Sequence, residues 1–352
     1  MLRLAARILL RLFSRYEVHG VIPDRPPDKL LIIGNHQSFI DPLFILAYCP
    51  FDVTWVTHQQ IAAKWYFRLL LRLVPHLVVD TASPHSLKQV LDAVNSGKPV
   101  CLFPEGRLTT TGALMKVYDG IAFLHTKSDA ALLPVNIDGM AYSSIFTRHR
   151  PPFPQQLRPK ARVTFFPFTR LPEARGRTAK ERRRNASNDL RRLLEVNWFE
   201  SQPARSLGEA FLDAVELYGR DWEVVEDIRF TPETFGGVLR GALALGRLVS
   251  RLAAAGERVG VLMPNASPTV MLLFGMFGQR RVPAMLNYTS GVDGMQSACV
   301  TAQIKTILTS RSFLEKAKLT DKVAQLKDVK IVHLEDLRPQ FKIGRASCRE
   351  RV

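Results

Sequence analysis

Acidic residues are scarce in this chain. Across 352 residues, 32 Asp and Glu stand against 49 Lys and Arg, a formal charge of +17. That imbalance argues against a cationic partner and favours acidic ones: nucleic acid, anionic lipid or an acidic carrier protein. The excess lies mostly in residues 1–200, at +12, with +5 in the remainder. Cysteines are few, and Cys49, Cys101, Cys299 and Cys348 form no CxxC pair or zinc-like spacing. The pattern fits a reduced, cytosol-facing chain without a disulfide framework. The eight histidines show no ligand pattern with Asp, Glu or Cys, so no metal site is expected. Arginines interrupt the apolar residues of the N-terminus, so a secretory signal is not expected either. The best candidate for a membrane span, residues 259–278, contains Pro264, Asn265 and Pro268. It divides into a strand, a turn and a helix instead. No internal repeat is visible.

What the chain does have is a large apolar fraction, 46 % hydrophobic and 9 % aromatic, enough to bury a sizeable core. Its length suits two domains. Strand-like and helix-like stretches alternate: strands over 29–34, 52–57, 99–103, 131–137 and 161–166, and helices over 62–73 and 86–95. This alternation predicts an α/β layer architecture. Residues 148–160, with Pro151, Pro152, Pro154 and Pro159, read as a loop. The pattern changes around Ser201-Gln202-Pro203, where a domain boundary is expected. Beyond it a second α/β domain begins, with helices over 235–255 and 268–277 and strands over 258–263 and 305–309.

Three segments carry unusual charge or composition. Residues 1–20 are predicted to form an amphipathic helix, with Arg3, Arg7, Arg11 and Arg15 in one stripe and Ala5, Ile8, Leu9, Leu12, Phe13 and Tyr16 on the opposite arc. Such a helix suits either an anionic bilayer surface or the flank of its own domain. The terminal position and the single acid, Glu17, favour the bilayer. The basic stretch 178–196 contains acids and lacks interleaved aromatics. It fits a solvated or membrane-facing helix better than a nucleic-acid contact. The last ten residues, IGRASCRERV, match the conceptual translation of a common sequencing adapter. The natural protein is expected to continue beyond about Lys342, with residues 343–352 an assembly artefact.

The chemistry concentrates in two short loops. The apolar run Lys29–Ile33 ends in Gly34, and Asn35-His36-Gln37-Ser38-Phe39-Ile40-Asp41-Pro42 follows. Asp41 is expected to cap the next helix, with Pro42 at its first position. His36 then sits in a loop after a strand, where a neighbouring carboxylate can orient it as a general base. The second loop is Phe103-Pro104-Glu105-Gly106-Arg107, followed by Leu108-Thr109-Thr110-Thr111-Gly112. Gly106 permits close backbone approach, and Arg107 suits bidentate contact with a phosphate. The threonines and Lys116 are placed to add hydrogen bonds. Taken singly, each loop also fits a purely structural turn.

Together and in this order, the motifs NHxxxxD (Asn35, His36, Asp41) and FPEG (Phe103–Gly106) resemble the glycerolipid acyltransferase family. Leu132-Leu133-Pro134-Val135 is similar to a further family block. The resemblance covers roughly residues 15–200 and implies a glycerolipid acyltransferase-type α/β domain. It implies that His36 deprotonates a lysophospholipid hydroxyl for attack on an acyl thioester, while Asp41 orients His36 and stabilises its imidazolium. Glu105, Gly106 and Arg107 would bind the acceptor's phosphate. No covalent acyl-enzyme is implied, and no serine or cysteine nucleophile motif is present. One departure stands out: where the family usually carries an arginine, this sequence reads Val78-Val79-Asp80-Thr81. Asp80 would oppose a phosphomonoester and favour an acceptor carrying an ammonium, such as ethanolamine.

Further along stand ERVGVLMPNA (257–266), RRVPAMLNYTSG (280–291) and IKTILTSRSFLEKAKL (304–319), and with them residues 206–342 resemble the opening of an adenylate-forming acyl-activating domain. An acyltransferase fused ahead of such a domain is the arrangement of bacterial bifunctional acyltransferase/acyl-acyl-carrier-protein synthetases. The segment lacks their Ser/Thr/Gly-rich, lysine-ending phosphate loop. ATP and Mg are therefore expected to serve only a full-length parent, and acyl transfer is expected to need no cofactor. The expected reaction moves a fatty acyl group from acyl carrier protein to the sn-1 hydroxyl of a 2-acyl lysophospholipid, lysophosphatidylethanolamine. The expected place is the cytoplasmic face of a bacterial inner membrane, with lysophospholipid, acyl carrier protein and anionic membrane as partners and no nucleic acid. Two alternatives stand beside this reading. One is a 1-acylglycerol-3-phosphate acyltransferase using acyl-CoA or acyl-acyl carrier protein. The other is a non-enzymatic basic protein that binds membrane or nucleic acid, for which His36→Ala would change no activity.

Overall fold

The computed structural model describes residues 1–80, 83–147 and 154–337. The expected adapter-derived tail, part of the 148–160 loop and Thr81 lie outside the described residues. The chain divides into two compact units, Met1–Pro203 and Ala204–Val352.

In the first unit the elements run α1 (Leu2–Phe13), β1 (Arg15–His19), β2 (Leu30–Gly34), α2 (Asp41–Tyr48), β3 (Thr54–His58), α3 (Gln59–Ala62), α4 (Trp65–Leu71), β4 (His76–Val79), α5 (Pro84–Asn95), β5 (Val100–Leu102), α6 (Gly120–Ser128), β6 (Ala131–Asp138), a 3-10 turn at Met140–Tyr142, β7 (Lys160–Phe165) and α7 (Ala179–Ser201). The strands form one sheet in the order β1-β7-β6-β2-β5-β3-β4. All neighbours are parallel except β6 and β7. Every residue of β2 is buried, because both faces of the sheet are covered, and a strand buried on both faces needs an unbroken apolar run. Leu30 and Ile32 pack with Leu10 of α1 and with Phe44 and Ile45 of α2. Leu31 and Ile33 point the other way, into Val90 and Val94 of α5, Ile121 and Leu124 of α6, and Leu190 of α7.

Three expected elements of the first unit differ, and in the second unit the helix expected over 235–255 ends at Val249. The N-terminal helix ends at Phe13, because Ser14 is extended and its N–H and hydroxyl both return to the Leu10 carbonyl. Arg15–His19 then pairs with Lys160–Thr164 as an edge strand. The helix expected over 62–73 is two short helices separated by extended Lys64. Asp41 is the first residue of α2 rather than its cap, a place taken by Ile40. The basic helix α7 opens with a reciprocal capping box between Thr178 and Glu181. It buries Ala186, Leu190 and Leu194 along one stripe, while Arg182, Arg183, Arg184, Arg191 and Arg192 are all exposed.

The second unit contains α8 (Leu207–Tyr218), the hairpin β8 (Glu223–Val225) and β9 (Glu233–Thr234), α9 (Phe235–Val249), β10 (Arg258–Leu262), α10 (Ser267–Gly278), β11 (Val282–Met285), α11 (Gly291–Thr301), β12 (Thr306–Thr309), α12 (Arg311–Lys316), α13 (Thr320–Val323), β13 (Lys330–His333) and α14 (Leu334–Leu337). Strands β11-β10-β12-β13 make a parallel sheet with an apolar cluster on each face. Helices α9 and α10 meet at Gly246 and Gly275. A Cβ on Gly275 would stand 2.4 Å from the Ala242 carbonyl oxygen, so only glycine allows this approach. Residues 259–278 are the expected strand, turn and helix. No helix among the described residues is long and apolar enough to cross a membrane.

Candidate active site

Strands β2 and β5 are parallel neighbours, so the loops that follow them emerge side by side at the same edge of the sheet. The first loop is fixed to β6 by Asn35, whose side chain donates to the Ile137 carbonyl and accepts from the Ile137 N–H, both at 2.7 Å. The next residue is His36. Its Nδ1 lies 3.0 Å from Oδ2 of Asp41, and its ring stacks on Phe103 at 4.1 Å between centroids. Its backbone is held from the second loop at both ends. The His36 N–H donates to Oε1 of Glu105 at 2.8 Å, and its carbonyl accepts from the Thr109 N–H at 2.8 Å. Gln37 adds a further brace, donating to the Gly112 carbonyl at 3.1 Å and accepting from the Ala141 N–H at 3.1 Å.

Asp41 is fully buried, at 0 % exposure. Beyond the imidazole it accepts from the N–H groups of Gln37 and Ser38, at 2.6 and 2.7 Å, and from the Ser38 hydroxyl at 2.5 Å. An ionised carboxylate only accepts, so Nδ1 must carry the proton and Nε2 presents its lone pair. The His36 side chain retains 18 % exposure. The same pair would stabilise the imidazolium once formed.

Glu105 does not occupy the place expected of a headgroup ligand. It is 1 % exposed, and its oxygens accept from the N–H groups of His36 and Met115, at 2.8 and 2.7 Å. A carboxylate so enclosed braces the two loops and is turned away from any phosphate. Burial pushes its pKa above the ordinary carboxylate range, against the pull of the two N–H groups. Thr109 is likewise committed to the loop, its hydroxyl donating to the Ala113 carbonyl at 2.8 Å. Gly106 has φ +61° with the Tyr118 ring 3.5 Å from where a Cβ would stand, so the turn requires glycine.

Arg107 and Lys116 remain as the outward cations of this loop. Both are exposed. Arg107 makes no ion pair among the described residues, and the Lys116 ammonium lies 5.5 Å from the Tyr118 ring centroid. Asp80 follows β4 at the same edge of the sheet, half-buried, with its N–H on the Ser86 hydroxyl. It stands three strands from β2, on the order of 14 Å at ordinary strand spacing, so it is not brought to His36. Cys49 and Cys101 are buried, and burial raises the Cys49 thiol to about 12 and that of Cys101 well above its ordinary value. Neither is a poised nucleophile. Among the described residues no group of three or more His, Cys, Asp or Glu is placed to hold a metal ion.

Residues 15–138 match the family model described as Acyltransferase. The acyltransferase match takes in both loops and ends at the last residue of β6. Similar proteins include a probable 1-acyl-sn-glycerol-3-phosphate acyltransferase of Mycoplasma pneumoniae, 23 % identical over 34 % of this chain and 48 % of its own length. The 1-acyl-sn-glycerol-3-phosphate acyltransferase of Pseudomonas aeruginosa is 27 % identical, again over 34 % of this chain and 48 % of its own. The chain thus spans about half the length of these relatives. Among solved structures, it is similar to the 1-acyl-sn-glycerophosphate acyltransferase PlsC of Thermotoga maritima, at 17 % identity and TM-score 0.44, over 58 % of this chain and 80 % of that one. It is also similar to the N-terminal domain of FACL13 from Mycobacterium tuberculosis, at 17 % identity and TM-score 0.35, over 39 % and 36 % of the two chains.

Asn35, Gln37, Ser38 and Phe103 build the site without having been assigned roles from sequence. All four lie inside or beside the two motifs. The only available signal was their polarity or ring beside the candidate base.

Proposed function

We propose that the first unit is an acyltransferase that moves a fatty acyl group from a thioester to the free hydroxyl of a lysophospholipid. The observation that carries this reading is the 3.0 Å contact between His36 Nδ1 and Asp41, inside the segment that matches the acyltransferase model. Nε2 takes the proton of the acceptor hydroxyl as its oxygen attacks the thioester carbonyl. The C–O bond forms, the C–S bond breaks, and the imidazolium returns its proton to the departing thiolate. Asp41 holds the ring and its charge through both transfers. Arg107 and Lys116 take the acceptor's phosphate, and Glu105 keeps the loop that carries them against the base.

His36→Ala is expected to lower kcat by roughly 100- to 10,000-fold, the usual worth of a general base, with circular dichroism and Tm little changed. Full activity in this variant would remove the acyltransferase reading. It would leave the non-enzymatic basic protein in its place. Arg107→Ala should raise the acceptor KM by roughly ten- to a hundredfold, the worth of one charge-assisted contact.

The finer reading is transfer from acyl carrier protein to the sn-1 hydroxyl of 2-acyl-glycerophosphoethanolamine, at the cytoplasmic face of a bacterial inner membrane. The basic charge supports it by suiting both an acidic carrier and anionic lipid. A second reading, 1-acylglycerol-3-phosphate as acceptor, is favoured by the names of the similar proteins. A panel of both acceptors with both carrier-protein and coenzyme A thioesters separates them. Asp80→Asn tests the headgroup role of Asp80, which must act across three strands: an unchanged acceptor preference removes it. For the second unit we propose the start of an acyl-activating domain. Its residues include no Ser/Thr/Gly-rich loop ending in lysine, so they do not fit an ATP phosphate chain, and no step is assigned to a nucleotide.

A further inference from the structure

Helix α4 buries none of its residues. Trp65, Tyr66, Leu69 and Leu70 are all exposed, Trp65 by 77 %, and Leu73 just beyond the helix by 61 %. Scattered exposed apolar side chains need no explanation, but a contiguous set does. Trp65 and Leu69 are four residues apart and share one face. The surface continues onto α1. A groove lined by Leu2, Arg3, Phe51, Leu73 and Val74 joins the end of α4 to the start of α1.

Helix α1 shows how its own face is oriented. Ala6 and Leu10 are buried, and Arg7 donates to the Ala47 carbonyl at 2.9 Å. Arg3 pairs with Asp52 at 3.5 Å. With that side held to the domain, Leu4, Ile8 and Leu12 are exposed by 63, 54 and 61 %.

Charge identifies the occupant of this surface. No Asp or Glu lies between Val53 and Val79, whereas Lys64, Arg68 and Arg72 alternate with the apolar residues of α4, and all three are exposed. Leucines between cations, with Trp and Tyr at one end, are the composition of an element lying at a lipid–water interface.

We propose that α4 is a lipid-inserting element, a second membrane contact beside α1. Trp65, Leu69 and Leu73 enter the acyl boundary of an anionic bilayer, while Lys64, Arg68 and Arg72 meet the headgroup phosphates. Both helices lead to the candidate base. Phe67 of α4 lies 5.9 Å from Phe39, between His36 and Asp41. Phe13 of α1 packs edge-on against Phe146 at 5.0 Å, and the Phe146 carbonyl accepts from the Phe39 N–H at 2.9 Å. A lipid hydroxyl would thus reach the imidazole from the bilayer. The docking itself does not depend on acyl transfer.

The test uses the whole chain and sedimentation with vesicles of phosphatidylcholine, alone or mixed with phosphatidylglycerol. Leu69→Gln/Leu70→Gln is expected to weaken partitioning into the mixed vesicles by at least about tenfold, since each leucine removes several buried methylenes. Arg68→Glu/Arg72→Glu should abolish the preference for the mixed vesicles. Adding vesicles should shift tryptophan emission to the blue, and Trp65→Phe should lose most of that shift. These side chains are exposed, so an unchanged Tm confirms that each variant folds. Unchanged partitioning of the leucine variant, with loss only in Leu4→Gln/Ile8→Gln, would leave α1 as the sole contact and overturn the proposal. An undiminished shift in Trp65→Phe would do the same. His36→Ala should bind vesicles fully, so failure of the acyltransferase reading and failure of docking are separate results.

Discussion

The carboxylate of Asp41 accepts from four donors, and only one of them is the imidazole. Its loss therefore affects the fold as well as the base. Asp41→Ala orphans two N–H groups and a hydroxyl in a fully buried position, at about 1–3 kcal/mol each. An unfolding free energy lower by about 3 kcal/mol or more is expected in urea melts, against a change of about 1 kcal/mol for His36→Ala. Glu105 supplies a pH signature. Its folded-state pKa stands above the unfolded one, so the folded chain holds that proton more tightly. Its contribution is fully present below the ordinary carboxylate range and is lost as pH rises through the raised value. Tm is thus expected to fall as pH rises through that raised value. Glu105→Gln should flatten that slope while lowering Tm overall, because one N–H loses its acceptor. His36 and Asp41 were legible in the sequence because they stand five residues apart in one loop and, taken with Phe103–Gly106, form a recognisable pair of motifs; the chemistry itself demands closeness only in space. The direction of the Glu105 side chain was not, since a motif gives no orientation. Asn35 and Gln37 were illegible for another reason: their partners Ile137 and Ala141 lie 102 and 104 residues away.

Buried elements were easier to read than edge elements. The apolar run 30–34 reads as a buried strand, and so it is. Residues 15–19 alternate in burial with the period of a strand, but arginines at four-residue intervals suggested that the preceding helix continued. The leucines and arginines of α4 favour a longer helix, and the extended backbone at Lys64 divides it from α3. Packing of α9 on α10 offers an element-scale prediction. In Gly275→Ala the new Cβ would meet backbone on α9, the Ala242 carbonyl oxygen at 2.4 Å and the Gly246 nitrogen at 2.7 Å. Neither can rotate away. Overpacking of this kind costs about 1–3 kcal/mol, and a calorimetric scan should show the transition of the second unit moving down while that of the first stays in place.

At the scale of the whole molecule, the first unit has its own sheet and its own apolar clusters on both faces. Residues 1–203 produced alone are expected to give a cooperative thermal transition and to keep whatever acyl transfer the full chain shows. A chain that aggregates or loses activity when cut there would mean that the first unit depends on the second. The change of pattern near residue 201 was visible in the sequence because a boundary changes local composition. The antiparallel insertion of β7 beside β6 was not, since strand order is set by pairings between distant segments. Cys49 and Cys101 belong to the first unit and Cys299 to the second, and all three are buried free thiols. With Cys348 replaced by serine, the folded protein would offer a thiol reagent nothing to alkylate. The order in which those three sulfurs become labelled under denaturant would then time the opening of each half, without any engineered probe.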